Sequence, residues 1–174
     1  MPKNAAILER SWLLCADAGA HAGLVDLATF NVVNAVLAGT PAVETVDWLL
    51  VNVAPDDASL AIMRGPHLIF FRNRAADTEG TLEDLVHQAA MYYEDRLSGG
   101  GLSRAFLTGV AGAGAHQAEI EQLRRRLQDR LKAPIETVDP RAAATLTDRI
   151  SAGPALLDAL TPLVGLLLRG RKAA

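Results

Sequence analysis

The sequence predicts an α/β fold: a mixed sheet that begins as an antiparallel three-strand meander and is flanked by helices. Three observations carry this. Residues 46–53, 58–64 and 67–72 are short, strongly apolar runs. They are separated only by Ala54-Pro55-Asp56-Asp57 and by Gly65-Pro66, which is turn chemistry, and strands joined by tight turns run antiparallel. Beyond residue 79 the period changes, and helical stripes alternate with short strands, the mark of a sheet covered by helices.

The elements follow in order. Residues 4–18 form a helix that Asn4 can cap, with Ile7, Leu8, Trp12 and Cys15 recurring at helical spacing, and Gly19 stops it. Residues 22–27 are a brief buried strand. A helix over 29–38 places Phe30, Val33, Asn34 and Leu37 on one side and ends at Gly39-Thr40-Pro41. Residues 46–53 are apolar enough for a strand buried on both faces, whereas 58–64 alternate. A long helix over 79–97 carries Leu82, Leu85, Val86, Ala89, Ala90 and Tyr93 as its stripe, and Ser98-Gly99-Gly100-Gly101 breaks it. Residues 104–109 are a strand entering a glycine-rich loop. A helix over 116–132 has Ile120, Leu123, Leu127 and Leu131 on one face. Residues 133–138 are an edge-like strand. Residues 154–168 are a last helix, apolar nearly all round and therefore expected in the core, with Arg169, Arg171 and Lys172 after it.

Composition narrows the function. Of 174 residues half are hydrophobic, enough for a real core, and the net charge of −3 argues against a basic nucleic-acid binder. The single cysteine, Cys15, excludes an internal disulfide framework and a cysteine-built zinc site. No apolar run reaches the ~18–20 residues that span a bilayer, and the first residues are too short an apolar run for a signal peptide. A cytoplasmic protein is the expectation.

Few residues offer chemistry. Residues 109–114 read Gly109-Val110-Ala111-Gly112-Ala113-Gly114, between a strand and a helix. That context suits a phosphate loop. The spacing is not GxGxxG, and a turn that merely needs free backbone angles is the plainer reading. Asp56 and Asp57 are adjacent and cannot converge on one bond, so a solvated turn is expected. His21, His67, His87 and His116 have no ligand spacing. Ser98, Ser103 and Ser151 lack a nucleophile elbow. Arg124, Arg125, Arg126, Arg130 and Lys132 form a basic helix face, interleaved with Glu119, Glu121 and Asp129, which suggests self-pairing.

Several stretches, in order, resemble one lobe of the actin-like ATPase superfamily, and most closely the PilM-type proteins of type IV pilus assembly, relatives of FtsA. Gly23-Leu24-Val25-Asp26-Leu27-Ala28-Thr29-Phe30 resembles the strand and crossing helix that leave the first lobe. Residues 51–63 resemble the hairpin that opens the second lobe, Ala90-Met91-Tyr92-Tyr93-Glu94 the end of its long helix, and Phe106-Leu107-Thr108-Gly109 the strand before the adenosine-side loop. Ile135-Glu136-Thr137-Val138-Asp139-Pro140 resembles the strand that ends in Asp-Pro, and residues 160–169 the final helix. The resemblance implies an RNase H-like lobe, with residues 1–40 a remnant of the first lobe and 41–174 the second-lobe domain. The rest of the first lobe has no counterpart, so the chain is expected to be a fragment or a reduced protein.

The departures bear on activity. Where nucleotide-binding relatives place an acidic residue and glycines, this chain has Asn52, Val53, Ala54 and Pro55. Asn52 carries no carboxylate for a metal, and Pro55 has no N–H to donate. Gly109, Gly112 and Gly114 keep glycine at altered spacing and would be the residues of a degenerate nucleotide loop. The resemblance therefore implies a scaffold of a type IV pilus or type II secretion-like system rather than an ATPase. It implies pilus or secretion assembly partners at the inner membrane, reached from the cytoplasmic side, with no nucleic acid and no membrane insertion. No cofactor is expected. ATP with Mg, bound with a first lobe supplied separately, is the rival expectation, and a free-standing homo-oligomer is a third.

Overall fold

The computed structural model describes residues 3–20, 26–144 and 152–172. Strands β1 (Asp47–Val53), β2 (Asp57–Arg64), β3 (His67–Ala75), β4 (Arg104–Thr108) and β5 (Ile135–Thr137) form one sheet in the order β3-β2-β1-β4-β5. The meander is as expected: β1 pairs antiparallel with β2, and β2 with β3. A bulge between Ile62 and Met63 shifts the register on β3. β4 lies parallel to β1, and β5 parallel to β4. Parallel neighbours need a long crossover, and helices α3 (Leu82–Arg96) and α4 (Gln117–Leu131) supply them.

The strand period of two divides the core into two layers. Leu49, Val51, Leu60, Ile62, Ala105 and Leu107 face Leu85, Val86, Ala89 and Tyr93 of α3, and Ile120 and Leu127 of α4. On the opposite face Trp48, Leu50, Ala61, Met63 and Phe106 meet Val32, Val33 and Val36 of helix α2 (Ala28–Gly39). Trp48 and Phe106 pack edge to face with centroids 5.6 Å apart. The indole N–H of Trp48 donates to the Gly65 carbonyl at 3.0 Å, so its one polar atom is satisfied inside the core. Helix α3 starts on a capping box: the Asp84 N–H donates to the Thr81 hydroxyl, and the Thr81 N–H to the Asp84 carboxylate.

Two expectations are corrected: the alternation of 58–64 and the core position of the helix over 154–168. Strand β2 does not alternate in burial. Six consecutive residues from Ala58 to Met63 are buried, because the strand is central and helices cover both faces. Helix α2 buries Thr29, Asn31, Val32, Val33, Ala35 and Val36, whereas Phe30, Asn34 and Leu37 are only half-buried. It lies between the sheet and helix α5 (Pro154–Lys172), so two of its sides are covered. Helix α5 is not a core helix. Thr161 and Gly165 are buried, but Leu156, Leu163, Leu166 and Leu167 are exposed, Leu167 at 72%. It packs on the side of α2 away from the sheet, so its own outer side stays in solvent. In helix α1 (Lys3–Asp17) Trp12 is 57% exposed, and Leu13 and Leu14 are exposed beside it. The side chains of Ile7 and Leu8 lie outside the described part of the chain. So do residues 21–25, where most of the brief strand was expected; Asp26 and Leu27 are not in a strand, and Leu27 precedes α2.

Candidate functional site

The carboxyl ends of the parallel pair β1 and β4 carry one row of polar side chains. Thr108 is opposite Asn52, Asn52 opposite Ser59, and Ser59 opposite Asn73. By strand alternation Thr108, Asn52 and Ser59 share the α2 face with Trp48, Leu50 and Phe106. Each finds a partner, as burial demands. The Asn52 amide donates to the Thr29 hydroxyl at 3.1 Å. The Asn73 amide donates to Ser59 Oγ at 2.9 Å and to Asp57 Oδ1 at 3.0 Å.

Thr108 leads into the glycine loop. Gly109 adopts φ +82°, and a Cβ there would lie 1.9 Å from the Val53 carbonyl oxygen. Only glycine lets the loop pass this close to the end of β1. The Ala113 N–H donates to the Gly109 carbonyl and the Ala115 N–H to the Val110 carbonyl, which closes the turn. Three further donors point at one group. The Ala111 and Gly112 N–H groups donate to Asp158 Oδ2 at 2.9 and 3.2 Å, and the Thr108 hydroxyl donates to Asp158 Oδ1 at 3.2 Å. Asp158 belongs to α5. The start of α4 is occupied in the same manner: the His116 N–H donates to the Glu119 carboxylate at 2.7 Å.

A cavity of about 210 Å³ adjoins the loop, with Thr108, Ala111, Asp139, Arg141, Leu157 and Asp158 among its lining. It is smaller than the ~300 Å³ at which small-molecule sites usually begin. Its cation is paired: Arg141 makes a two-pronged contact with Asp139 at 2.7 to 3.0 Å. The hydrogen bond from Arg141 holds the Asp139 carboxyl below its ordinary range, and Asp139 raises Arg141 in return.

Of the residues expected to matter, Gly112 presents its amide to the carboxylate, Gly109 supplies the close approach, and Gly114 takes φ +99° in the turn. Asn52 ties β1 to the start of α2. Ala54 donates its N–H to the Asp57 carbonyl and closes the hairpin turn. His67 and His87 are exposed on separate elements, and His21 and Ser151 lie outside the described residues. Among the described residues no three His, Cys, Asp or Glu side chains group as a metal site. The basic face of α4 pairs with neighbours. Arg124 and Arg125 hold Glu121 at 2.8 and 2.9 Å, and Arg126 holds Glu83 of α3 at 2.6 Å. The hydrogen bonds from Arg124 and Arg125 lower the Glu121 carboxyl to about 2. Sequence reasoning missed Asp158. Its signal is a single carboxylate inside the otherwise uncharged run 154–168.

No known protein family and no curated protein matches this sequence. Solved structures do match its fold. A chain of a "PilM-PilN type IV pilus biogenesis complex" superposes with a TM-score of 0.64 at 16% identity, over 88% of this chain and 54% of that one. The ethanolamine utilization protein EutJ from Carboxydothermus hydrogenoformans gives 0.47 at 12% identity, over 88% and 57%. An AlfA filament bound to AMPPNP gives 0.44 at 13%, over 80% and 42%. The chain thus spans about half the length of the pilus-complex chain it resembles. The five-stranded mixed sheet, with its meander and flanking helices, is an actin-like ATPase fold.

Proposed function

We propose that this chain is an assembly scaffold of a type IV pilus or type II secretion-like system, acting by binding other assembly components and without hydrolysing ATP. The observation that supports it most is the fold likeness to a chain of the PilM-PilN complex. The amides of the glycine loop add to it, because they already hold Asp158. In this reading residues 41–174 act as a second-lobe domain and residues 1–40 derive from a first lobe. The partners sit at the cytoplasmic side of the inner membrane, and the protein reaches that membrane through them. Among the described residues no helix is long and apolar enough to cross a membrane.

A second reading has its own support. Leu156, Leu163, Leu166 and Leu167 on α5, with Trp12, Leu13 and Leu14 on α1, leave apolar side chains in solvent. Exposed apolar side chains in such number are the material of an interface, and a homo-oligomer would cover them.

The test is affinity capture from membranes and cytosol of the source organism, with this chain as bait. Recovery of inner-membrane pilus or secretion components is the expected result. Recovery of a separate first-lobe polypeptide, with protection of residues 109–114 by Mg-ATP in its presence, would replace the scaffold reading with a nucleotide-binding one. Light scattering against concentration decides the oligomer.

A further inference from the structure

The loop after β4 is built to hold an oxyanion, and the chain fills it. Two successive amides converge on one carboxylate oxygen, at 2.9 and 3.2 Å, and the hydroxyl of Thr108, itself 2% exposed, reaches the other. A carboxylate and a phosphoryl group present the same kind of acceptor oxygen to such donors. The occupant comes from 46 residues further along the chain. The three bonds therefore also fasten the first turns of α5 to the end of β4. The remainder of α5 rests on α2, with Gly165 against the Asn31 backbone and the pair Arg169–Asp26 at its far end. Its outer row, from Leu156 to Leu167, is bare.

We infer that Asp158 is an internal occupant of an oxyanion seat, and that the seat makes α5 a latch. With the latch closed, a free phosphate or phosphate ester is excluded from the loop. With α5 lifted, the same amides accept a free oxyanion. The carboxylate is tethered and held in register by the packing of α5 on α2, so its effective concentration exceeds that of an anion dissolved at millimolar concentration, which does not displace it. The inference is independent of which partners the chain binds.

Amide hydrogen exchange on the full chain tests it, with Asp158→Ala, Asp158→Asn and the wild type compared with and without millimolar inorganic phosphate at constant ionic strength. Wild-type protection over residues 108–115 is expected to be unchanged by phosphate. In Asp158→Ala, both 108–115 and the first turns of α5 exchange faster by about tenfold, the scale of losing a charge-assisted hydrogen bond that gates a local opening. Phosphate then restores protection to the loop and not to α5. Asp158→Asn, which keeps one acceptor oxygen and loses the charge, falls between. Amides of β1 and β4 report whether the fold is intact. Phosphate protection of the wild-type loop overturns the inference. So does unaltered α5 exchange in Asp158→Ala, or a loop in that variant that phosphate leaves unprotected. Loss of sheet protection in both variants would make Asp158 a determinant of folding and overturn it equally.

Discussion

Gly109 shows how much one missing side chain decides. Its φ of +82° would strain an alanine, and the added Cβ would meet the Val53 carbonyl oxygen at 1.9 Å. The two costs act together: roughly 1–2 kcal/mol for the left-handed backbone and 1–3 for forcing β1 and the loop apart. Gly109→Ala is expected to lower stability by about 2–5 kcal/mol, read as a fall in the urea midpoint with an unchanged slope. Gly112 is the internal comparison. It has no positive φ, and a Cβ there would sit 3.4 Å from the Gly109 carbonyl and 3.6 Å from Asp158 Cβ, ordinary contact distances. Gly112→Ala should stay within about 1 kcal/mol of wild type. The glycine run was legible in the sequence, and so was its place between strand and helix. Which glycine is obligatory was not, because that depends on β1, more than fifty residues earlier. Asp158 was hidden for the same reason: its partners are 46 to 50 residues away.

The contact of α5 with α2 sets two principles against each other. At Gly165 a Cβ would lie 1.6 Å from the Asn31 carbonyl oxygen and 2.5 Å from its carbon. Alanine favours a helix over glycine by about 1 kcal/mol, so helix propensity alone predicts that Gly165→Ala stabilises. Backbone at 1.6 Å cannot give way without moving a helix, and overpacking of that kind costs roughly 1–3 kcal/mol or more. The steric effect wins. Gly165→Ala is expected to loosen α5, with faster amide exchange over 154–168 while β1 and β4 keep theirs. Faster exchange in neither region would mean that α5 shifts along α2 at little cost. The elements explain what pattern reading can reach. Helices α3 and α4 each pack one face on the sheet, and the centres of their expected stripes hold: Leu85, Val86, Ala89 and Tyr93, then Ile120 and Leu127, are buried, while Leu82, Ala90, Leu123 and Leu131 are half-buried. Helix α2 has two covered sides and α5 has a helix for a neighbour. Their near-uniform apolarity carried no period to say which side faces inward.

At the scale of the molecule, strand order was half legible. Tight turns dictate the meander, but the parallel pairing of β4 with β1 joins segments about fifty residues apart, and no local pattern reports it. Ion pairs bind the same distant parts, and they give the molecule a predictable response to acid. Asp47 accepts from Tyr93 at 2.6 Å and from Arg64 at 3.0 Å, which joins β1 to α3 and β2. Burial works to raise its pKa, yet the hydrogen bonds from Arg64 and Tyr93 outweigh it and the net shift is downward. Glu83, which joins α3 to α4 through Arg126, behaves likewise: burial opposes, and the Arg126 hydrogen bond leads the groups that prevail. Arg141 lowers Asp139, and Glu121 is lowered to about 2. In each case the folded pKa lies below the unfolded one. The unfolded chain therefore binds more protons at acid pH, and stability falls as pH falls. The contribution is fully present above the ordinary carboxylate range and disappears as pH drops through the folded values. The urea midpoint should be level from neutral pH down to about 5 and then decline steadily toward pH 2. Asp47→Asn separates this tie from the others. Arg64 is 48% exposed, so screening holds the loss near neutral pH to about 1–2 kcal/mol. The acid decline should become shallower in the variant, because one depressed carboxylate is gone. An equal decline in variant and wild type would assign the acid response to Glu83, Glu121 and Asp139, and reduce the Asp47–Tyr93–Arg64 contact to packing.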